Sequence, residues 1–232
     1  MLDRNIHKSI LLQILKDIYT DTSLGPFLGF KGGTAAHLFY KLGRFSVDLD
    51  FDLLREEKDT IVFSKVEKIL QEYGTIKEQY RKYNTLFFIL SYEEKAQNIK
   101  VEISCRSFGS LYKIQNYLGI SMLVMINEDM FAHKLVAMLE RSKTANRDVY
   151  DVWHFLKKRW PINKKIVEKR TKMSFVSYLR KCIKFVESLS ARNILSGMGE
   201  LMDEKQKAWA KNNLKKDTIF LLKIRLETEA GQ

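Results

Sequence analysis

Apolar residues recur along this chain with two periods, and the change from one to the other divides it. Ile6, Ile10, Ile14 and Ile18 fall four apart, so residues 3–20 predict an amphipathic helix. Residues 27–30 form a short apolar run ending at Gly32-Gly33, a strand followed by a turn, and 34–42 predicts a short helix. Over 46–54 the alternation is strict. Val47, Leu49, Phe51 and Leu53 take one face of a strand, and Ser46, Asp48, Asp50 and Asp52 take the other. Residues 58–73 read as a helix, and 75–80, 84–92 and 98–104 as strands, the last two pairing across a turn at 93–97. In the last strand Ile99, Val101 and Ile103 alternate with Lys100, Glu102 and Ser104, and it is expected beside 46–54. From about 127 the period is helical, with helices at 127–141, from 146 to before Trp160-Pro161, and at 163–171, 174–189, 200–213 and 216–228. The pattern predicts an α+β fold: a small mixed sheet with helices in residues 1–118, then a helical domain in 119–232.

Charge separates the same two parts. Residues 1–132 hold 17 Lys and Arg against 17 Asp and Glu, whereas 133–232 hold 23 against 11. The whole net charge of +12 therefore lies in the last hundred residues. A basic helical part beside a neutral one suits a polyanionic partner, nucleic acid above all. With 232 residues and 45 % hydrophobic content, the chain can bury a sizeable core as one large domain or two small ones. Cys105 and Cys182 lie far apart with no zinc spacing, so a reducing cytoplasm is the expected home. The N-terminus has no signal-peptide pattern, and no apolar run approaches the roughly 18 residues of a membrane span, so no membrane partner is expected.

Two segments bear on chemistry. Gly32 and Gly33 have no Cβ, which lets a ligand approach the backbone, and the helix starting near Thr34 offers free N–H groups to phosphates. Asp48 and Asp50 are two apart on a strand, so their carboxylates leave on one face. Close acids repel each other, and a cation such as Mg²⁺ (or Mn²⁺) would relieve that. Asp52 shares the face and is open to a ligand, second-layer or surface role. Glu102 supplies a third acid, as a metal ligand or as the base for an attacking hydroxyl, with a cross-strand lysine salt bridge as the alternative. His7, His37, His133 and His154 show no metal-ligand spacing, and Trp153, Trp160 and Trp209 are expected to pack. No P-loop, GxSxG or zinc-protease motif occurs.

The stretch KGGTAAHLFYKLGRFSVDLDFDL resembles the motif of DNA polymerase β-type nucleotidyltransferases. More narrowly, the chain resembles the AbiEii/AbiGii abortive-infection toxins of bacterial type IV toxin–antitoxin systems. The first signature is carried by Gly32, Gly33, Thr34, Arg44, Ser46, Asp48 and Asp50. The second, in HKLVAMLERSKTANRDVYDVWHFL, is carried by Lys134, Arg141, Arg147, Asp148 and Asp151. The resemblance implies a metal-dependent transfer of NMP from an NTP to a hydroxyl, most simply on RNA and at tRNA 3′ ends. Together with Glu102 from the strand pattern, it gives metal ligands Asp48, Asp50 and Glu102, and a nucleotide set of Lys31, Gly32, Gly33, Thr34, Arg44, Ser46 and Lys134. It further implies that Lys134 neutralises triphosphate and that Asp148 and Asp151 are needed for activity. A co-encoded antitoxin is implied, with no stable complex. Helix–helix salt bridging is the alternative for the second cluster. The competing functions are NMP transfer to protein hydroxyls and a binding module on an inactive scaffold.

Overall fold

The computed structural model describes residues 3–94, 96–140 and 146–231. The chain divides into two units: Met1–Lys41 with Phe45–Ile126, and Leu42–Arg44 with Asn127–Gln232.

The first unit is built on a seven-stranded mixed sheet. Its strands are β1 (Leu28–Lys31), β2 (Leu49–Leu53), β3 (Thr75–Lys82), β4 (Thr85–Ser91), β5 (Ile99–Ser104), β6 (Tyr112–Tyr117) and β7 (Ile120–Met125). They lie in the order β3-β4-β5-β2-β1-β7-β6. β2 is antiparallel to β1 and parallel to β5, so residues from three distant segments meet at the sheet centre. The register sets Asp50 opposite Lys31 on one side and Glu102 on the other. Phe30, Phe51 and Phe88 are fully buried, and the Phe30 and Phe51 rings lie 5.3 Å apart.

The α-helices of this unit among the described residues are α1 (Arg4–Thr20), α2 (Gly32–Tyr40) and α3 (Asp59–Gln71). Asp3 caps α1, accepting from the backbone N–H groups of Asn5 and Ile6 at 2.9 and 3.1 Å. The buried stripe of α1 is His7, Leu11, Ile14, Leu15 and Ile18, whereas Ile6 is exposed. The isoleucine series therefore drifts off the core face, as a strict four-residue step does on a 3.6-residue helix.

His7 has a specific task. Its Nε2 donates to the Val47 carbonyl at 2.9 Å, because a carbonyl only accepts, and its Nδ1 then accepts from the Tyr92 hydroxyl at 2.9 Å. This is a neutral imidazole, and burial lowers its pKa against the opposing pull of the Val47 carbonyl and Asp48. A base whose folded pKa is depressed binds fewer protons folded than unfolded. Its contribution to stability is therefore complete above the ordinary histidine value of about 6.5 and declines as pH falls below it. Urea unfolding from pH 7.5 to 5 is expected to show that decline, and His7→Gln is expected to flatten it. An unchanged slope in the variant would assign the decline to other groups.

The 118/119 division read from the sequence falls at the turn of a hairpin. β6 and β7 pair antiparallel with Tyr117 opposite Ile120, and Leu118 and Gly119 both take positive φ, 50° and 82°. This is the two-residue turn that suits strand twist. β7 then lies parallel to β1, and the sheet unit runs on to Ile126.

The second unit is helical: α4 (Asn127–Glu140), α5 (Asn146–Lys157), α6 (Lys164–Thr171), α7 (Phe175–Ser188), α8 (Glu204–Trp209) and α9 (Lys215–Ala230). Asn163 and Ser174 cap α6 and α7. The expected break between 213 and 216 is absent. Residues Ala210–Leu214 form a π-helical turn that joins α8 to α9. Asp203 starts this run with a capping box to Gln206. Trp153 packs on Trp209 at 4.1 Å, and Trp160 stacks on Phe155 at 4.4 Å, so these three indoles serve packing. No helix among the described residues is long and apolar enough to cross a membrane.

Candidate active site

The glycine turn and the acidic strand meet in the sheet unit. Gly32 takes φ +78°, and a Cβ built there would lie 2.2 Å from Asp50 Oδ2. Only glycine lets the first turn of α2 close onto this carboxylate. No side chain caps α2, so its N-terminal N–H groups keep the character of an anion site. The Thr34 hydroxyl donates to the Asp48 carbonyl oxygen and is buried. It ties α2 to the entry of β2, so the hydroxyl proton of this member of the expected nucleotide set is already donated. Gly32→Ala is expected to cost at least about 100-fold in transfer rate, since it both strains φ and pushes Asp50 aside. Steady-state rates on folded protein check this, and a loss under threefold would show that the close approach does not bear on transfer.

The acids fall into two environments. Asp50 and Glu102 face each other in register and are partly exposed, as is Asp48. The Lys100 ammonium reaches in from β5, 3.0 Å from Glu102 Oε2 and 3.9 Å from Asp50 Oδ1. Burial pulls Lys100 toward its neutral form, but Asp50, Glu102 and Asp48 outweigh this and raise its pKa. The lysine alternative for Glu102 is thus present, and it involves Asp50 as well. Asp52, two residues on, is buried and has both oxygens engaged. Lys31 Nζ lies 2.5 Å from Oδ1, and the Tyr112 hydroxyl donates to Oδ2. Tyr112 reaches it by lying across Gly29, where a Cβ would stand 2.3 Å from the ring. Lys31 is therefore partnered with Asp52. Tyr112 was missed in the sequence because its role is visible only once β6 is in the sheet.

The remaining candidates gather in the helical unit. Arg44 donates from Nε and Nη2 to the two oxygens of Asp151, both at 2.6 Å. Lys134 Nζ lies 2.8 Å from Asp151 and 3.2 Å from Asp148. All four are buried. Burial alone would push the Asp151 carboxyl up, but the Arg44 and Lys134 charges overcome it and hold the group below the ordinary carboxylate range. Arg44 stays firmly charged against its own burial through Asp151 and Asp148. Two acids and two bases make a neutral set, the condition under which charges survive burial. Arg44, expected at the nucleotide, thus belongs to the same network as the second signature. Ser46 is buried in the sheet unit. Arg141 lies outside the described residues.

This division of signature residues between a glycine-fitted acidic strand and a buried ion network can be set against known proteins. The family described as nucleotidyl transferase AbiEii toxin, type IV TA system, matches residues 13–217. The chain belongs to this family. It is therefore an AbiEii-type nucleotidyltransferase toxin, and the family implies a co-encoded antitoxin and a nucleotide substrate. Two solved structures share the fold of this AbiEii-family chain. JHP933 from Helicobacter pylori is 20 % identical, covers 100 % of this chain and 99 % of its own, and gives a TM-score of 0.59. A candidate nucleotidyltransferase from H. pylori is 20 % identical, covers 94 % and 95 %, and gives 0.57. No curated protein matches the chain.

Proposed function

We propose that this AbiEii-family enzyme moves an NMP from an NTP to a 3′ hydroxyl of RNA, with tRNA as the leading acceptor and a divalent cation held by Asp48, Asp50 and Glu102. One observation carries the reading: Gly32 brings an uncapped helix N-terminus against the Asp50 carboxylate, which itself faces Glu102.

The donor set fits a hard cation. All three groups offer carboxylate oxygen, the ligand type Mg²⁺ takes, and the Lys100 ammonium already stands among them as a cation does. Among the described residues no three His, Cys, Asp or Glu side chains close into a ready-made cage. Mg²⁺ commonly completes its shell with water and substrate phosphate, so a cage is not required. When bound, the cation would supply charge neutralisation at the phosphates.

The chain's own groups do the rest. The N–H groups at the start of α2 receive the triphosphate. The acceptor oxygen attacks the α-phosphorus, forming one P–O bond while the α–β bridging bond breaks. Pyrophosphate leaves with that electron pair, and the hydroxyl proton passes to Glu102 or to water. The basic C-terminal half, with 23 Lys and Arg against 11 acids over 133–232, supplies attraction for an RNA polyanion. The buried network of Arg44, Lys134, Asp148 and Asp151 frames the helical unit.

The test incubates the protein with each labelled NTP, Mg²⁺ and either total tRNA or cell protein. Label on tRNA is expected. Label on protein alone would replace RNA by a protein acceptor, and no label with any NTP would end the enzymatic reading for this chain.

A further inference from the structure

Beyond the acid pair, the sheet unit holds a cavity of about 310 Å³ lined by residues that include Asp52, Glu56, Cys105, Arg106, Phe108 and Tyr112. It lies where β2 and β5, running parallel, both end. β1 runs antiparallel to β2, so α2 begins at the opposite end, beside Asp50. The acid pair therefore stands between the two features. Asp52, on the same strand face as Asp50, is two residues further on, about 7 Å along β2.

That order matters for an in-line displacement. The attacking oxygen and the departing pyrophosphate must lie on opposite sides of the phosphorus. With triphosphate on α2, an attack directed along β2 brings the acceptor from the other end of that strand, where the cavity is. Its size lies at the lower end of small-ligand sites, which start at about 300 Å³. Its chemistry suits one nucleotide. The Arg106 guanidinium is exposed and makes no ion pair among the described residues. Guanidinium groups bind phosphate in a planar fork, and an aromatic ring such as Phe108 can stack a base.

We propose that this cavity is the acceptor subsite, holding the 3′-terminal nucleotide of the RNA with its phosphate on Arg106; the assignment rests on the RNA-transfer reading above.

Cys105 gives a readout independent of catalysis. It lines the cavity, whereas Cys182 is fully buried. The full-length protein is treated with N-ethylmaleimide, and the Cys105 adduct is followed by mass spectrometry. A mixed-sequence RNA hexamer with a free 3′ hydroxyl is expected to slow the adduct at least fivefold, and NTP with Mg²⁺ to leave it within twofold. In parallel, Arg106→Ala is expected to raise the KM for total tRNA about tenfold, the scale of one charge-assisted bond, with the NTP KM unchanged. The failures separate cleanly. Wild-type protein that labels tRNA while the hexamer leaves Cys105 unprotected and Arg106→Ala leaves the tRNA KM unchanged overturns the subsite alone. Protection by NTP, or a raised NTP KM, makes the cavity the donor's pocket and also overturns it. Wild-type protein that labels no RNA overturns the reading beneath it.

Discussion

Asp50→Asn is expected to lower nucleotide transfer by roughly 1,000-fold or more while leaving the fold intact. The substitution preserves shape and removes charge at the acid against which the Gly32 backbone closes. Asp50 is held between the Gly32 backbone, the facing Glu102 and the Lys100 ammonium at 3.9 Å. On the proposed function, a neutral amide there would weaken the hold on the cation that neutralises the triphosphate. Stability points the other way, because one fewer carboxylate relieves repulsion within the acid group. The melting temperature is expected to hold or to rise slightly. Label incorporation from NTP and a thermal melt on the same preparation give both numbers. Activity within tenfold of wild type would remove Asp50 from the metal-binding set. Asp52→Asn is the comparison: that acid is engaged by Lys31 and Tyr112, so its loss should register mainly as stability.

Asp151→Ala has the largest expected effect on folding, about 3–5 kcal/mol of lost stability. The alanine removes the shared acceptor of Arg44 and Lys134 and leaves a buried excess of positive charge beside Asp148. Against a total of roughly 5–15 kcal/mol for a folded domain, much of the protein would be unfolded at 37 °C. Urea unfolding checks the size, and a loss under 1 kcal/mol would show that water reaches the network. Replacing Arg44 and Asp151 together by Met and Leu should cost less than the sum of the single changes, since Lys134 keeps Asp148. Acid should act the same way. The depressed pKa of Asp151 means its contribution is present above the ordinary carboxylate pKa and disappears as pH falls through the lowered folded value. An inactive Asp151 variant would therefore say little about catalysis until its folded fraction is known.

Alternation and spacing carried most of the sheet unit. The strict period over 46–54 placed Asp48, Asp50 and Asp52 on one face, and the period over 98–104 supplied Glu102 for its neighbour. What alternation cannot report is which acid already has partners. Asp50 and Asp52 look equivalent in sequence, yet Tyr112, sixty residues away, separates their roles. The β6–β7 hairpin was illegible for a local reason. β6 lies at the sheet edge with mostly exposed or half-buried side chains, so it leaves no apolar alternation. Its turn uses Leu118 at positive φ where Asn or Asp would normally announce it. In the helical part the periods gave the helices to within a few residues, but a π-turn keeps the apolar rhythm out of step without breaking the helix at 210–214. Arg44 entered through the family resemblance, and no spacing in the sequence announces its ion partner, which is 107 residues on.

That separation has a temporal side. At synthesis rates of about 5–20 residues per second, Asp151 is made roughly 5–20 s after Arg44. Through that interval the arginine four residues before Asp48 has no partner to enter the interior with, and Leu42–Arg44 must wait for the helical unit it belongs to. A ribosome-bound or truncated chain that stops before Asp151 thus carries every acid of the strand site without the anchor of the segment leading into it. The last charge of this network to be synthesised is thus what closes that anchor, when about two thirds of the 232 residues have been made.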